Sequence, residues 1–238
     1  MDNFSADDTK TEPKLDLLPE HLADWRKSGL SDLTGINNKI RSVPREEMAG
    51  ILGESLASKV DSLLDIPYQN IFNIAGTSDF SVTGAGAVPI VADAGQAKPE
   101  SVALSVPPVK IEAFNRYKVF PPLKLKDGTM RYYQKKGSGC RFYVPFGVEQ
   151  ILMDASKPLA FTEGEKKALK ITEAGIPCIG LSGLWNFLSE GKPIADFETI
   201  EWKDREILLF VDSDARRNDN LLMAIFAFLK EVEKRGAK

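Results

Sequence analysis

The feature that most constrains the fold is a regular alternation of short apolar runs with amphipathic runs in the last third of the chain. This pattern predicts strands at 158–164 (PLAFTEG), 176–183 (IPCIGLSG) and 206–215 (EILLFVDSDA), and helices at 165–175 and 220–236. Short apolar strands that alternate with helices are typical of a parallel sheet whose faces are covered by those helices. We therefore expect an α/β domain over residues 155–238.

The chain before this alternation predicts an α+β region over residues 15–146. We expect short helices at 17–29 and 45–52, and strands on both sides of the hairpin signal Asp127-Gly128 and again over 140–146 (CRFYVPF). The polar residues 1–14 predict a disordered tail.

Residues 75–109 differ from both regions because they are rich in Ala, Gly, Ser, Val and Pro and carry little charge. A flexible insertion or linker would have this composition, and so would a few short strands bounded by turns. We expect the insertion, and the strands stay open as the alternative.

Composition limits the classes of function. The 31 Lys and Arg residues against 34 Asp and Glu give a net charge of −3, so any nucleic-acid contact requires a local concentration of positive charge. Cys140 and Cys178 are too few for a disulfide framework and lack metal-site spacing. Apolar runs stay far below the roughly 18 to 20 residues of a membrane-spanning helix. We expect a soluble, cytoplasmic protein with no membrane partner.

Three acidic residues follow predicted strands of the parallel sheet. Glu163 ends the first strand, and Asp212 and Asp214 end the third. Ligands of such sheets bind outside the carboxyl ends of the strands, and alternate residues of an extended chain share one side. Converging carboxylates repel one another unless a cation lies between them, and their oxygens suit Mg²⁺ or Mn²⁺. The alternative is that both aspartates simply begin the next helix as capping residues.

Motifs in most of the chain outside 1–14 and 75–109 resemble a known family. TEGEKKAL, LSG and LLFVDSDA resemble the TOPRIM domain of bacterial-type primases, topoisomerases and some nucleases. LPEHLADWRKSGL, YYQKKGSGCRFYVPFG and FTEGEKKALKITEAGIPCIGLSGLWNF resemble more closely uncharacterised primase-like proteins of phages, plasmids and other mobile elements. In that family the TOPRIM-like domain often lies beside a helicase-type ATPase.

The resemblance implies a Rossmann-like TOPRIM sheet with Glu163 as the acid/base glutamate and Asp212 and Asp214 as ligands of Mg²⁺ or Mn²⁺. In phosphoryl transfer a divalent cation neutralises charge on phosphate oxygens, and a carboxylate can relay the proton of a hydroxyl. Glu165, one residue inside the following helix, competes with Glu163 for that role and is a secondary candidate.

Basic residues next to these acids are secondary candidates for phosphate contacts. Lys166 lies with Lys167 in the first turn of the helix after Glu163, and Arg216 follows the aspartate pair. A solvated helix face is the alternative for the two lysines, and plain surface charge is the alternative for Arg216.

The sequence departs from the family where it ends. A complete TOPRIM sheet continues with a further strand after the helix that follows the aspartates, whereas this chain stops with that helix. The helix is apolar nearly all round over 221–232, which predicts cover on more than one side. We therefore expect an incomplete, truncated sheet that is part of a longer polypeptide or is completed by a partner, and enzymatic activity depends on that completion.

A second signal is the stretch over 110–143, where basic residues outnumber acidic ones and alternate with aromatic residues. Lys and Arg attract phosphates, and aromatic rings can stack on unpaired bases. The candidates for nucleic-acid contacts are Arg131, Tyr133, Lys135, Lys136 and Arg141. The alternative is that many of the aromatic residues face the core of a small sheet.

These signals together predict a primase-like DNA-replication protein of a mobile element that performs Mg²⁺-dependent nucleotidyl or phosphoryl transfer on single-stranded DNA. The alternative is a non-catalytic TOPRIM-like DNA-binding module that recruits a helicase or another replication partner. No Walker loop occurs in the sequence, so the helicase-type ATPase that the resemblance implies is expected as a partner in cis or in trans. Nuclease or topoisomerase-like chemistry on the same fold stays open.

Overall fold

The computed structural model describes residues 13–73 and 113–238. The predicted insertion at 75–109 and nearly all of the predicted tail at 1–14 lie outside these ranges. The described part is a mixed α/β structure that contains a parallel three-stranded sheet, a four-stranded antiparallel sheet and a two-stranded ribbon.

The first part of the chain forms the antiparallel sheet and four short helices. Its elements in chain order are α1 (Pro19–Lys27), α2 (Asp32–Asn37), β1 (Arg41–Ser42), α3 (Arg45–Leu52), α4 (Glu54–Ala57), β2 (Ser62–Pro67), β3 (Asn115–Leu125) and β4 (Gly128–Tyr133). The strands are arranged in the order β1-β2-β3-β4. The two predicted helices and the hairpin at Asp127-Gly128 are confirmed.

Strand β3 continues through Pro121 and Pro122, although a pair of prolines usually interrupts a strand. The pairing of β3 with β4 shifts its register between Lys118 and Leu123. Prolines have no N–H to donate, so the ladder is interrupted around them while the chain stays extended.

The second part of the chain forms the predicted parallel sheet. Its elements are β5 (Leu159–Glu163), α5 (Glu165–Glu173), β6 (Cys178–Leu181), β7 (Leu188–Ser189), β8 (Lys192–Pro193), β9 (Ile207–Phe210) and α6 (Asp219–Lys234). The parallel strands lie in the order β6-β5-β9, and β7 and β8 form the small ribbon. All three strands and both helices of the predicted alternation are confirmed.

Two local predictions are wrong. Residues 140–146 do not form a strand, and only Tyr143 makes a β-bridge, to Gly180 of β6. A Cβ atom at Gly180 would lie 3.2 Å from the Cβ atoms of Tyr143 and Ala168, a tight contact that favours glycine at this position. The extended conformation expected through both aspartates ends at Asp212, because a 3₁₀ helix follows at Ser213–Arg217.

The core of the parallel sheet is aromatic. Phe161 of β5 packs against Phe142, Trp202 and Phe228, with ring centroids 5.0 to 5.9 Å apart. Helix α6 buries only one face against this core, and on its other face Met223 and Phe226 are 62% and 66% exposed. The cover that its sequence predicts on further sides is not supplied by residues 13–73 or 113–238.

No helix in the described ranges is both long enough and apolar enough to cross a lipid bilayer.

Candidate functional site

A cleft of about 790 Å³ lies where the carboxyl end of β5 meets the antiparallel sheet. Strands β3 and β4 supply one wall. Helix α5 and the carboxyl ends of the parallel strands supply the other. The charged residues that line the cleft are Arg116, Arg131, Lys166, Lys167, Lys170, Glu163, Glu165 and Asp212. Basic residues thus outnumber acidic residues in the cleft lining, as expected of a surface that binds an anion.

The parallel pairing of β5 with β9 brings Glu163 and Asp212 to the same edge of the sheet. Thr162 pairs with Phe210, so both strands end at this point, and the chain stays extended as far as Asp212. Gly164 turns the chain from β5 into α5 with φ +96° and ψ 146°, a conformation that L-residues rarely adopt. Both carboxylates consequently border the cleft, and we call this edge the carboxylate rim.

Glu165 is a buried member of a hydrogen-bond network. Its carboxylate accepts a 2.6 Å hydrogen bond from the hydroxyl of Tyr68 and another from the guanidinium of Arg116. Burial raises the pKa of Tyr68 well above its usual value, so this hydroxyl stays protonated and remains a donor. Arg116 also lies over the ring of Tyr132, 4.9 Å from its centroid. Glu165 therefore anchors Arg116 and Tyr132 in the cleft wall.

Lys166 connects α5 to α1 through hydrogen bonds and is not part of a solvated helix face. Its ammonium donates to the Asp24 carboxylate at 2.6 Å and to the Ser28 hydroxyl at 2.7 Å. Lys118 of β3 donates to the same carboxylate at 2.5 Å. Burial lowers the pKa of Lys166, and the hydrogen bond to Asp24 opposes this effect.

Lys167 and Lys170 lie one turn apart on α5 and have different partners. The Lys167 ammonium contacts both carboxylate oxygens of Asp212, at 2.6 and 2.5 Å. The Lys170 ammonium contacts the Gly29 carbonyl at 2.5 Å and the Glu173 carboxylate at 2.7 Å. The carboxylate rim is therefore already in contact with one positive charge from the protein.

The structure brings three of the residues singled out from the sequence to the cleft and its rim as candidates for direct contact: Glu163, Asp212 and Arg131. The secondary candidates Glu165 and Lys166 also line it, although both are held by the networks above. The backbone of Asp214 lies in the 3₁₀ helix, and the side chains of Asp214 and Arg216 lie outside the described part of the structure.

The other predicted nucleic-acid residues lie elsewhere. Tyr133 pairs with Tyr117 and packs on the core under α3. Lys135 and Arg141 line a separate pocket of about 320 Å³, where Arg141 donates to the Asp196 carboxylate at 2.8 Å. Lys136 is exposed in the loop after β4. None of these four residues lines the cleft that the carboxylate rim borders.

Sequence reasoning missed Arg116 and Tyr132, which form the cleft wall opposite α5. Lys118 pairs with Tyr132 across the hairpin, and Arg116 lies two residues earlier on β3, so all three occupy one face. Strand alternation places Tyr132 and Tyr133 on opposite faces of the sheet, so the sequence indicated that one of them differs from the other in its surroundings. Deciding which of the two faces the cleft required the register of the hairpin.

The donor set at the rim fits a divalent cation in its chemistry. Carboxylate oxygens from Glu163 and Asp212 are the ligands that Mg²⁺ and Mn²⁺ prefer, and Mg²⁺ commonly binds through one or two carboxylates and keeps several waters. Among the described side chains, no three of the types His, Cys, Asp and Glu cluster as a metal site. Glu163 and Asp212 would thus hold the ion together with water and a bound phosphate.

Comparison with known proteins adds one match. Residues 149–238 match the family model described as Domain of unknown function (DUF3854). The matched segment covers less than half of the chain; it contains the carboxylate rim and α5 but not the wall formed by β3 and β4. No curated protein and no solved structure matches the chain.

Proposed function

We propose that this protein is a TOPRIM-like, primase-like replication protein of a mobile element, and that the cleft binds single-stranded DNA for nucleotidyl or phosphoryl transfer. The observation that carries the proposal is that Glu163 and Asp212 border the same cleft as five basic residues. Carboxylates from neighbouring parallel strands beside a basic wall suit a reaction in which an anionic substrate meets a cation-dependent site.

Each wall has a distinct task in this proposal. Arg131 attracts the DNA phosphates, and Arg116, which Glu165 fixes, stiffens the wall on which Tyr132 lies. Glu163 accepts the proton of an attacking hydroxyl, a role that requires a carboxylate within hydrogen-bond reach of the substrate. A divalent cation at the rim, when bound, supplies charge neutralisation for the phosphate oxygens.

The test is synthesis on single-stranded DNA templates by the purified protein, with nucleoside triphosphates and Mg²⁺ or Mn²⁺. Glu163→Gln is expected to lower the rate by about 10² to 10⁴, the usual contribution of a general acid or base. Asp212→Asn is expected to abolish product formation. Asp204→Asn is the control, because Asp204 is 67% exposed and pairs with Lys238 away from the cleft.

DNA binding is measured separately by fluorescence anisotropy with a labelled oligothymidylate. Arg131→Ala is expected to weaken binding, whereas Arg26→Ala, an exposed arginine of α1 that does not line the cleft, leaves it unchanged. If no variant or wild-type protein makes product and Asp212→Asn binds DNA normally, the non-catalytic binding module replaces the enzyme as the function.

A further inference from the structure

We infer that Lys167 and a divalent cation are alternative partners of the Asp212 carboxylate. Lys167 pairs with this carboxylate until a cation binds there and displaces the lysine. The inference rests on the proposed function, because it concerns regulation of the same carboxylate rim.

The geometry of the ion pair carries the argument. The ammonium of Lys167 lies 2.6 Å from Oδ1 and 2.5 Å from Oδ2 of Asp212, so it faces both oxygens at once. A divalent cation binds carboxylate oxygens at roughly 2.0 to 2.6 Å and approaches from the same side. The two positive charges cannot occupy that position together, because they would overlap and repel.

Lys167 differs from its neighbours on α5 in how readily it can leave. Lys166 is half-buried and donates to both Asp24 and Ser28. The Lys167 side chain is 47% exposed, and Asp212 is its sole ion-pair partner among the side chains that the structure describes. A long, exposed lysine can withdraw into water at little cost, since exposed ion pairs contribute only about 0 to 1 kcal/mol.

Displacement gives Lys167 a second task. Lys167 lines the cleft, and once its ammonium is released from Asp212 it is available to a phosphate there together with Arg131. Cation binding and phosphate binding therefore support each other, because the first frees a charge that the second uses. Without a cation, the same charge is neutralised by Asp212, and the cleft attracts phosphate less.

The experiment is isothermal titration of the full chain with Mn²⁺, comparing wild type, Lys167→Met and Lys170→Met. Lys170 is the matched control: it lies on the same helix and lines the same cleft, its side chain is 50% exposed, and its partners are Glu173 and Gly29. Both substitutions remove one positive charge from the cleft, but only the first removes the competitor for Asp212.

Lys167→Met is expected to bind Mn²⁺ about three- to fivefold more tightly than wild type, the fold-change that the loss of an exposed ion pair permits. Lys170→Met is expected to change the affinity less than twofold. Adding Asp212→Asn to Lys167→Met is expected to remove the gain.

Equal tightening by Lys167→Met and Lys170→Met would overturn the inference, because it would show a general effect of cleft charge, and it would leave the proposed function standing. Weaker Mn²⁺ binding by Lys167→Met would also overturn it. If neither the wild type nor Lys167→Met bound Mn²⁺, the cation site of the proposed function would be wrong. The inference about Lys167 would then be wrong as well.

Discussion

Tyr68 and Tyr143 lie side by side in the core, with ring centroids 5.0 Å apart, yet their hydroxyl groups are in different situations. The Tyr68 hydroxyl donates to the buried Glu165 carboxylate, whereas the Tyr143 hydroxyl is buried without a hydrogen-bond partner among the described residues. A hydrogen bond to a charged group is worth about 1.5 to 3 kcal/mol, and a buried hydroxyl without a partner contributes nothing favourable.

We predict that Tyr68→Phe lowers the free energy of unfolding by about 2 kcal/mol, because Glu165 loses a donor in the core. Tyr143→Phe is the matched control and is expected to change it by less than about 0.5 kcal/mol or to raise it. Urea denaturation at pH 7 measures both. Similar losses of unfolding free energy in the two variants would show that the Tyr68–Glu165 hydrogen bond does not contribute specifically to stability.

The single histidine predicts a specific pH dependence. His21 is fully buried between the hydroxyls of Ser42 and Ser62, at 2.8 and 2.9 Å. Burial lowers the pKa of His21 below its ordinary value near 6.5, and the carboxylates of Glu20 and Asp24 oppose this effect. Below that ordinary value the unfolded chain binds a proton that the folded protein does not, so stability falls as the pH drops through 6.5.

We expect the free energy of unfolding to fall between pH 7.5 and 6, and we expect His21→Gln to lose most of that slope because glutamine does not titrate. Denaturation curves at four pH values for both proteins give the comparison, and other titrating groups cancel between them. The same slope in both proteins would assign the effect to other residues.

At the level of the elements, the turn from β5 into α5 decides where the acids lie. Gly164 has φ +96°, and a Cβ added there would meet nothing within 4 Å, so a substitution acts through the backbone alone. Gly50 in α3 also has open space around it, but its conformation is helical. The same change from glycine to alanine should therefore have opposite signs at the two positions.

We predict that Gly164→Ala lowers the free energy of unfolding by about 1 to 3 kcal/mol, the usual cost of a strained backbone conformation. Gly50→Ala is expected to raise it by up to about 1 kcal/mol, because alanine favours a helix. Thermal unfolding of both variants tests the pair. Two changes of the same sign would contradict the backbone account.

The elements that the sequence predicted well are those whose signals are local. Strand β5, helix α5 and strand β6 are apolar or amphipathic runs bounded by glycines, and the pattern within each run was sufficient. Strand β2 was missed, although it is central and almost wholly buried. Its apolar run contains Asp65 and its partner β3 comes some fifty residues later, so its pairing is a long-range property.

The candidate site divides in the same way. The carboxylate rim could be predicted because parallel strands end at one edge, whereas the wall of Arg116 and Tyr132 depends on the hairpin register. Arg141 illustrates the limit, since its chemistry suits phosphate but its charge is taken by Asp196, 55 residues away in sequence. Only the packed structure reveals which basic side chains already have acidic partners.

At the scale of the whole molecule, ion pairs and hydrogen bonds join the antiparallel and parallel sheets. Asp24 of α1 accepts from Lys118 of β3 and Lys166 of α5, and Glu173 accepts from the Ser31 amide at 2.9 Å. The Tyr143–Gly180 bridge adds backbone hydrogen bonds of 2.9 and 2.8 Å. We therefore expect the two sheets to unfold together and not as separate domains.

We predict one cooperative transition that coincides by far-ultraviolet circular dichroism and tryptophan fluorescence. Asp24→Asn is expected to cost about 2 kcal/mol, because Lys118 and Lys166 lose the charge they share. Asp204→Asn, at an exposed surface pair, is the control with little expected effect. Two resolved transitions in the wild type would contradict the account.

The pairing of β2 with β3 has a consequence for how this architecture tolerates change. Pro67 lies opposite Asn115, and the Tyr68 amide donates to the Phe114 carbonyl at 2.9 Å, so the backbone departs from the sheet and rejoins it at adjacent points. Closing a loop costs only about 0.6 kcal/mol more for each doubling of its length. The framework would accept a short hairpin turn or an entire inserted module at this junction, while the carboxylate rim remained untouched.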